Sequence, residues 1–531
     1  MSLDKNDNLT ITSLKTPDLC SLSARRLAGL IASGELCSVD VVDSHISRIQ
    51  DVNPTINAIV APRYEAAREE AREADKRRES GEQLGPLHGV PITIKESIDF
   101  AGLPSTFGVI AHRNDVPSVD NPYVARLRNA GAIVLGKTNV SQMLIFAETD
   151  NPLYGLTKNP WDISRSPGGS SGGEAAIIAA FGSPLGLGSD IGGSCRIPAA
   201  ATGIVGFKPT MGRLPDNGRG SVPIGQLAIR SEIGFLARHV EDIALGLEIA
   251  SKGNEPPEES HPLGNPTGVD VAKLTVGYFF DDGTFTAVAA ARRAVLEAKD
   301  ILERRGVRLV PWTPPSPAEA LGLFYRILGG DRARGFRRFL NGSTADRRLR
   351  ELMLLGMVPA AALPLVRLLL RLTGKGKLSH ILRSFGHYDT ASHWDTVEAI
   401  ERYRERFLAE LDSGSQGSID VILSPATPLP ALRHGATVHI SAMGAYNVLY
   451  NVLGYPAGVV PVTRVRADEE TATPRGRDKM DRIAYETEKN SAGLPIAVQI
   501  AARPWRDHIA LAVLGAIETG AKEREDYPIL R

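Results

Sequence analysis

The sequence predicts a mixed α/β protein, and three observations carry that expectation. Short apolar runs of strand character, such as residues 90–94 and 130–136, alternate with stretches whose apolar residues recur at helical spacing. Hydrophobic residues make up 43% of the 531 and charged residues 23%, a balance that supports a buried core and excludes a disordered or fibrous chain. No internal repeat and no clean linker interrupts the pattern, so residues 1–531 are expected to form a single domain.

The elements follow in chain order. Residues 1–18 are polar, with Asp4, Lys5, Asp7 and Lys15 and no apolar run, so they predict neither a signal peptide nor an anchor, and the expected location is cytoplasmic. Residues 1–80 read as an N-terminal helical cover: helical spacing runs from 22 to about 60, with Ser38 as the expected N-cap before Val41, Val42, Ile46 and Ile49. A second helix, 62–80, is dense in Glu and Arg and reads as a solvated face. A Gly and Pro turn then leads into Val90, Ile92 and Ile94, a strand that ends at Lys95. Residues 130–136, AGAIVLG, suit a strand buried on both faces. Farther on, strands are expected at 273–278, 307–312, 419–423 and 459–462, and surface loops at 251–270 and 464–489.

Charge and cysteine usage narrow the partners. Sixty-one basic residues offset sixty-one acidic ones, which leaves no chain-wide field for nucleic acid. Cys20, Cys37 and Cys195 lack the spacing of a disulfide framework or a zinc site, which suits a reducing compartment, and no metal or cofactor is expected.

The chemistry concentrates between 166 and 209, where Gly and Ser are enriched but apolar runs thread through them, unlike a flexible linker. A phosphate cradle is excluded, because no Gly-Lys-Ser/Thr follows residues 168–173. A nucleophile elbow matches GGSSG at 168–172 literally, yet NPWDISRSP before it is polar and proline-broken, and no later histidine, His434 and His508 included, is singled out. The remaining reading joins a lysine to two serines. A serine hydroxyl is a weak nucleophile at neutral pH and must pass its proton to a base, and a lysine serves as that base only where burial keeps its amine neutral. Lys95, at the end of an apolar strand, is placed for this, although on spacing alone a salt-bridged or snorkelling lysine fits better.

The blocks GPLHGVPITIKESID, SPGGSSGGEAA and GLGSDIGGSCRIPAAATGIVGFKPT resemble, in order and spacing, the signature blocks of the amidase-signature family. The resemblance implies that family's fold, a twisted mixed β-sheet covered by helices on both faces, with the signature core at 85–215. It implies a Ser-cis-Ser-Lys triad of Ser194 as nucleophile, Ser170 as proton shuttle and Lys95 as ultimate base. It also implies an oxyanion hole of the backbone amides of Ile191, Gly192, Gly193 and Ser194. Cys195, where many members carry an aliphatic residue, reads as small core packing.

The resemblance covers residues 14–518 and is strongest to members that hydrolyse fatty amides, through TNVSQ, NPLYGLTKNPW, LYNVLGYPAGVVPVTRV and GLPIAVQIAARPW. It implies an N-acylethanolamine or primary fatty amide as substrate. The alternatives are a short-chain or aryl amide, or the role of the tRNA-dependent amidotransferase component that releases ammonia from glutamine. Met143, Leu144 and Phe146 are candidate pocket residues by the same resemblance and are equally readable as core. An apolar helical cap is expected at 340–390. Within it, residues 352–372, LMLLGMVPAAALPLVRLLLRL, are about as long as the roughly 20 residues that cross a bilayer. Pro359, Pro364, Arg367 and Arg371 argue that this stretch lies at an interface instead, with Lys375 and Lys377 adding weak attraction to anionic headgroups. A buried helix pair or a homodimer interface are the competing uses of the stretch.

Overall fold

The computed structural model describes residues 18–214, 225–252, 261–374, 389–413, 417–471 and 478–530, with single positions 376, 379, 382, 473 and 476 between them. Lys375, Lys377 and the polar N-terminus up to residue 17 lie outside the described residues.

An eleven-stranded sheet organises the chain in the order β1-β3-β2-β4-β6-β5-β10-β11-β9-β7-β8. Its strands are β1 Ile59–Pro62, β2 Pro91–Lys95, β3 Ile133–Thr138, β4 Leu185–Asp190, β5 Val205–Lys208, β6 Glu232–Ala237, β7 Thr275–Tyr278, β8 Arg308–Pro311, β9 Val421–Pro425, β10 Ala457–Arg464 and β11 Pro495–Ala502. β2 runs parallel to β3 and β4, and β7 runs parallel to β8 and β9, whereas the other pairs are antiparallel. The chain therefore has the mixed sheet that the signature blocks implied.

Side-chain alternation along the strands separates two cores, one on each face. In β3, Val134 joins the larger cluster while Ile133 and Leu135 join the smaller one. In β6, Ile233 and Phe235 divide from Leu236 in the same way. Ile92 and Ile94 of β2 belong to the larger cluster, so Thr93 and Lys95 face the smaller one, where helix Gly172–Ala179 packs through Ala175, Ala176 and Ile177. Strand period alone thus delivers Lys95 beneath the Gly and Ser segment.

Local departures from the sequence reading have identifiable causes. Ser38 is the first residue of helix Ser38–Ile56, not its cap, which is Cys37. The carboxylate of Asp75, from helix Tyr64–Glu79, takes the cap's place by accepting the Ser38 and Val39 amides at 2.7 and 3.1 Å. The chain expected to stay helical to residue 60 turns into β1, which pairs antiparallel with β3. The stretch expected as a loop at 464–489 holds helix Lys479–Glu488, capped by Asp478 on the Met480 amide. Only one of its faces is apolar, with Met480 and Ala484 buried, and the polar remainder hid it.

The expected apolar cap forms helices Arg347–Gly356 and Leu363–Leu372, the second opening on Pro364 in its first turn. In that second helix only Leu363 is buried, while Leu365, Leu368, Leu369 and Leu372 are exposed, Leu372 at 74%. A buried core pair does not fit that exposure. No helix among the described residues is long and apolar enough to cross a membrane.

Candidate active site

Three short segments meet on the smaller-core face of the sheet. β2 ends in Lys95, the loop before helix Gly172–Ala179 carries Ser170 and Ser171 across a cis Gly169-Ser170 peptide, and β4 runs into the turn that carries Ser194. Lys95, Ser170 and Ser171 are fully or almost fully buried, while Ser194 keeps part of its surface open. Lys95 Nζ lies 2.7 Å from Ser170 Oγ, 3.0 Å from Ser189 Oγ and 3.4 Å from Ser189 O. The Ser171 amide donates to the Ser194 carbonyl at 3.2 Å, which stitches the loop to the turn. All three residues of the expected triad are thereby brought to one place.

The turn itself is held by an ion pair that lies in the core. Asp190 accepts the amides of Gly193 and Cys195 at 2.7 and 3.1 Å and takes Nε and Nη2 of Arg196 at 3.0 and 3.1 Å. Arg196 spends its remaining donors on Gln499 Oε1, Asn451 Oδ1 and the Asn447 carbonyl. Both side chains are fully buried. Burial opposes ionisation of Asp190, but the Arg196 charge and hydrogen bonds more than offset it and hold the carboxyl well below the usual carboxylate range.

This arrangement alters one expectation. Gly193 was expected to offer its amide to a substrate oxygen, and in the structure that amide is donated to the fully buried carboxylate of Asp190. Asp190 takes the amides of Gly193 and Cys195, not those of Ile191, Gly192 and Ser194. Glycine is required at 193, where φ is +110° and a Cβ would lie 2.7 Å from Asn447 Cβ; at 192 a Cβ would press on Phe324 Cζ at 2.9 Å. Phe324 and Val448 therefore border the open side of the turn.

Glu174 forms the floor of the site. Its carboxyl lies 2.7 Å from Thr93 Oγ1 and 3.0 Å from Thr138 Oγ1, binding helix Gly172–Ala179 to β2 and β3. Burial pushes it up to about 8, against the lowering effect of those hydroxyls and of Lys95. Burial likewise pushes the Cys195 thiol far up, consistent with its packing role beside the turn.

Of the candidate pocket residues, Met143 is fully buried in a third cluster with Phe107, Phe336 and Leu349, and Leu144 and Phe146 keep partial exposure at its edge. The elbow reading fails on structure, since no strand precedes Ser170 between 139 and 169. Among the described residues no histidine bonds to Ser170, Ser171 or Ser194, and no group of His, Cys, Asp and Glu is arranged to hold a metal ion. Sequence reasoning missed Ser189, Asp190, Arg196, Glu174 and Gln499. An acid and a base bracketing the Gly-Gly-Ser turn were a usable signal for Asp190 and Arg196, whereas Gln499, three hundred residues away in the chain, left none.

Comparison with known proteins follows this geometry. The chain is 35% identical over 525 residues to fatty-acid amide hydrolase 1 of Sus scrofa, covering 95% of this chain and 87% of that one. It is 34% identical over 476 residues to a glutamyl-tRNA(Gln) amidotransferase component of Salinispora arenicola, covering 84% and 91%. A solved fatty acid amide hydrolase superposes with a TM-score of 0.80 at 26% identity, over 95% of this chain and 85% of that structure. The family model described as Amidase matches residues 40–511, and the chain belongs to that amidase-signature family of amide hydrolases.

Proposed function

We propose that this enzyme hydrolyses fatty acid amides through an acyl-enzyme on Ser194. The observation that carries the reading is the 2.7 Å approach of the buried Lys95 Nζ to Ser170 Oγ, one hydrogen bond from the turn that bears Ser194. Lys95, as a neutral amine, takes the Ser170 proton, Ser170 takes the proton of Ser194, and the Ser194 oxygen adds to the amide carbonyl. The amides of Ile191, Gly192 and Ser194 receive the charge that develops on the carbonyl oxygen. The proton returns through Ser170 to the leaving nitrogen, a step amides need more than esters because an amine leaves badly unprotonated. Water then releases the acid by the same route.

Two observations support a lipid amide over a small one: the fatty-acid amide hydrolase relatives and the exposed leucines of helix Leu363–Leu372. Leu365, Leu368, Leu369 and Leu372, with Arg367 and Arg371 beside them, suit reversible docking on a lipid surface, with arginine heads at the boundary. Leu144 and Phe146 lie along the acyl path in this reading.

Intact mass after reaction with a long-chain fluorophosphonate, with Ser194→Ala and Ser170→Ala as controls, tests the nucleophile, and turnover of oleoyl against acetyl amides tests the substrate. One adduct mapped to Ser194 with oleoyl amides preferred supports the full reading. An adduct with acetyl or aryl amides preferred keeps the amidase and removes the lipid. No adduct, with glutaminase activity only beside a partner, turns the assignment to an amidotransferase component, which the relative from Salinispora arenicola favours.

A further inference from the structure

The loop that carries Ser170 leans on a second segment, residues 142–150, and that segment is clamped to the helical cap. A Cβ on Gly169 would lie 2.7 Å from the Glu148 amide nitrogen and 2.8 Å from the Phe146 carbonyl oxygen, so backbone meets backbone there. Thr149 brackets the same loop, donating to the Gly168 carbonyl and accepting the Gly172 amide, both at 3.0 Å. Any shift of 146–149 is therefore carried into Ser170.

The other side of this segment belongs to the start of helix Arg347–Gly356. Gln142 donates to the Thr344 carbonyl at 2.9 Å and accepts the Asp346 amide at 2.8 Å. Arg348 holds Glu148 at 2.9 Å and Asp150 at 2.7 Å, with Asp346 at 3.4 Å. Arg348 and Glu148 are both buried, and Glu148 is gathered from its far side by Gly435, Thr437 and His434. The segment also carries two adjacent residues in the left-handed region, Met143 at φ 55° and Leu144 at φ 61°. Such conformations persist only where surrounding bonds over-determine them; here the Met143 amide donates to the Phe107 carbonyl, the Leu144 amide to the Ser141 carbonyl, and Gln142 beside them is bonded to Thr344 and Asp346.

We propose that Arg348 is a positioning residue for Ser170: it seats the cap on residues 142–150 and through them sets where the Ser170 hydroxyl stands. The proposal rests on the triad reading above. It follows that a displaced Ser170 harms the reaction chiefly where its proton matters, which is expulsion of an amine, and harms ester cleavage less. A misplacement of ~1 Å is enough to cost up to about 100-fold in rate.

The test compares Arg348→Met, Arg348→Lys and the parent chain on a soluble amide and the matching ester. The expected result for Arg348→Met is a fall in amide kcat of about tenfold or more with KM changed less than about threefold, and an amide-to-ester rate ratio lowered about fivefold. Arg348→Lys, which keeps the charge but loses the fork, should recover part of that ratio. Equal losses on amide and ester, or an unchanged ratio, would overturn the proposal. Should Arg348→Met fail to fold, the ratio in Arg348→Lys decides alone, and parental values there overturn it. Labelling of the parent at Ser194 by the fluorophosphonate separates the two levels: with labelling intact and the ratio unmoved, only the role of Arg348 falls, whereas without labelling the triad reading falls and takes this proposal with it.

Discussion

The β2–β4 face and the apolar helix pair at 347–372 solve opposite problems. At the sheet, Lys95, Glu174, Asp190 and Arg196 are polar groups at zero exposure, each held by partners from two or more segments. In helix Leu363–Leu372, four leucines face outward and only Leu363 is buried. Polar groups without water must be satisfied by fixed partners, which confers geometry to tenths of an ångström; apolar groups left in water ask only for a surface to cover them. The contrast teaches that precision and reach are assigned to different parts of this chain, with Arg348 as the joint between them.

The comparison is tested most severely at Ser194. Ser194→Ala should lower amide turnover by a factor on the order of 10⁴ or more while leaving the thermal midpoint almost unmoved. Turnover close to that of the parent would detach the chemistry from the sheet face altogether.

Arg196→Leu comes next. It leaves Asp190 buried without its cation and should destabilise the fold by about 3–5 kcal/mol in urea titrations, with loss of the Gly-Gly-Ser turn. A cost below ~1 kcal/mol would mean the pair is not what holds the turn.

Glu174→Gln sharpens the comparison through pH. The folded carboxyl, raised from 4.5 to about 8, keeps a proton that the unfolded chain loses above 4.5. Parent stability therefore declines as pH rises between those values, and the glutamine variant, which cannot ionise, should gain on the parent by a few kcal/mol across that window. Thermal midpoints at pH 5 and pH 8 read the gap, and an equal difference at both values would remove the buried acid from the account.

The smallest effect is expected in the cap. Leu368→Ser with Leu372→Ser should change the urea midpoint by no more than ~0.5 kcal/mol per site, since both are exposed, yet weaken cosedimentation with phosphatidylcholine and phosphatidylserine vesicles by about tenfold. Unaltered vesicle binding together with loss of self-association in sedimentation would assign the face to a second copy of the chain.

Much of the sheet was legible because strand and helix periods are local. Val90, Ile92 and Ile94 alternate over five residues, and the pattern that marks them as a strand also puts Lys95 on the opposite face. The chemistry was legible for a different reason: the blocks around Lys95, Ser170 and Ser194 resemble the signature blocks of a known family, whereas the Gly and Ser spacing alone left their roles open. Helix Lys479–Glu488 escaped because its buried face includes Asp481, Thr487 and Glu488 beside Met480 and Ala484, and the cap of helix Ser38–Ile56 because its carboxylate, Asp75, comes from the next helix.

By itself, then, the sequence determined the mixed α/β class, the strand that ends in Lys95, the candidate serines and the apolar stretch with its prolines and arginines. Only the tertiary structure decided that Asp190 claims the Gly193 amide, that Gln499 and Asn451 complete Arg196, and that Arg348 joins its helix to Glu148 and Asp150, beside the Ser170 loop. The physical reason is the range of the interaction. Periodicity and turn chemistry act between residues a few positions apart and leave a mark there. A buried polar pair instead takes whichever partner the packed chain brings within hydrogen-bond distance, and for Arg196 and Gln499 that partner lies 303 positions away.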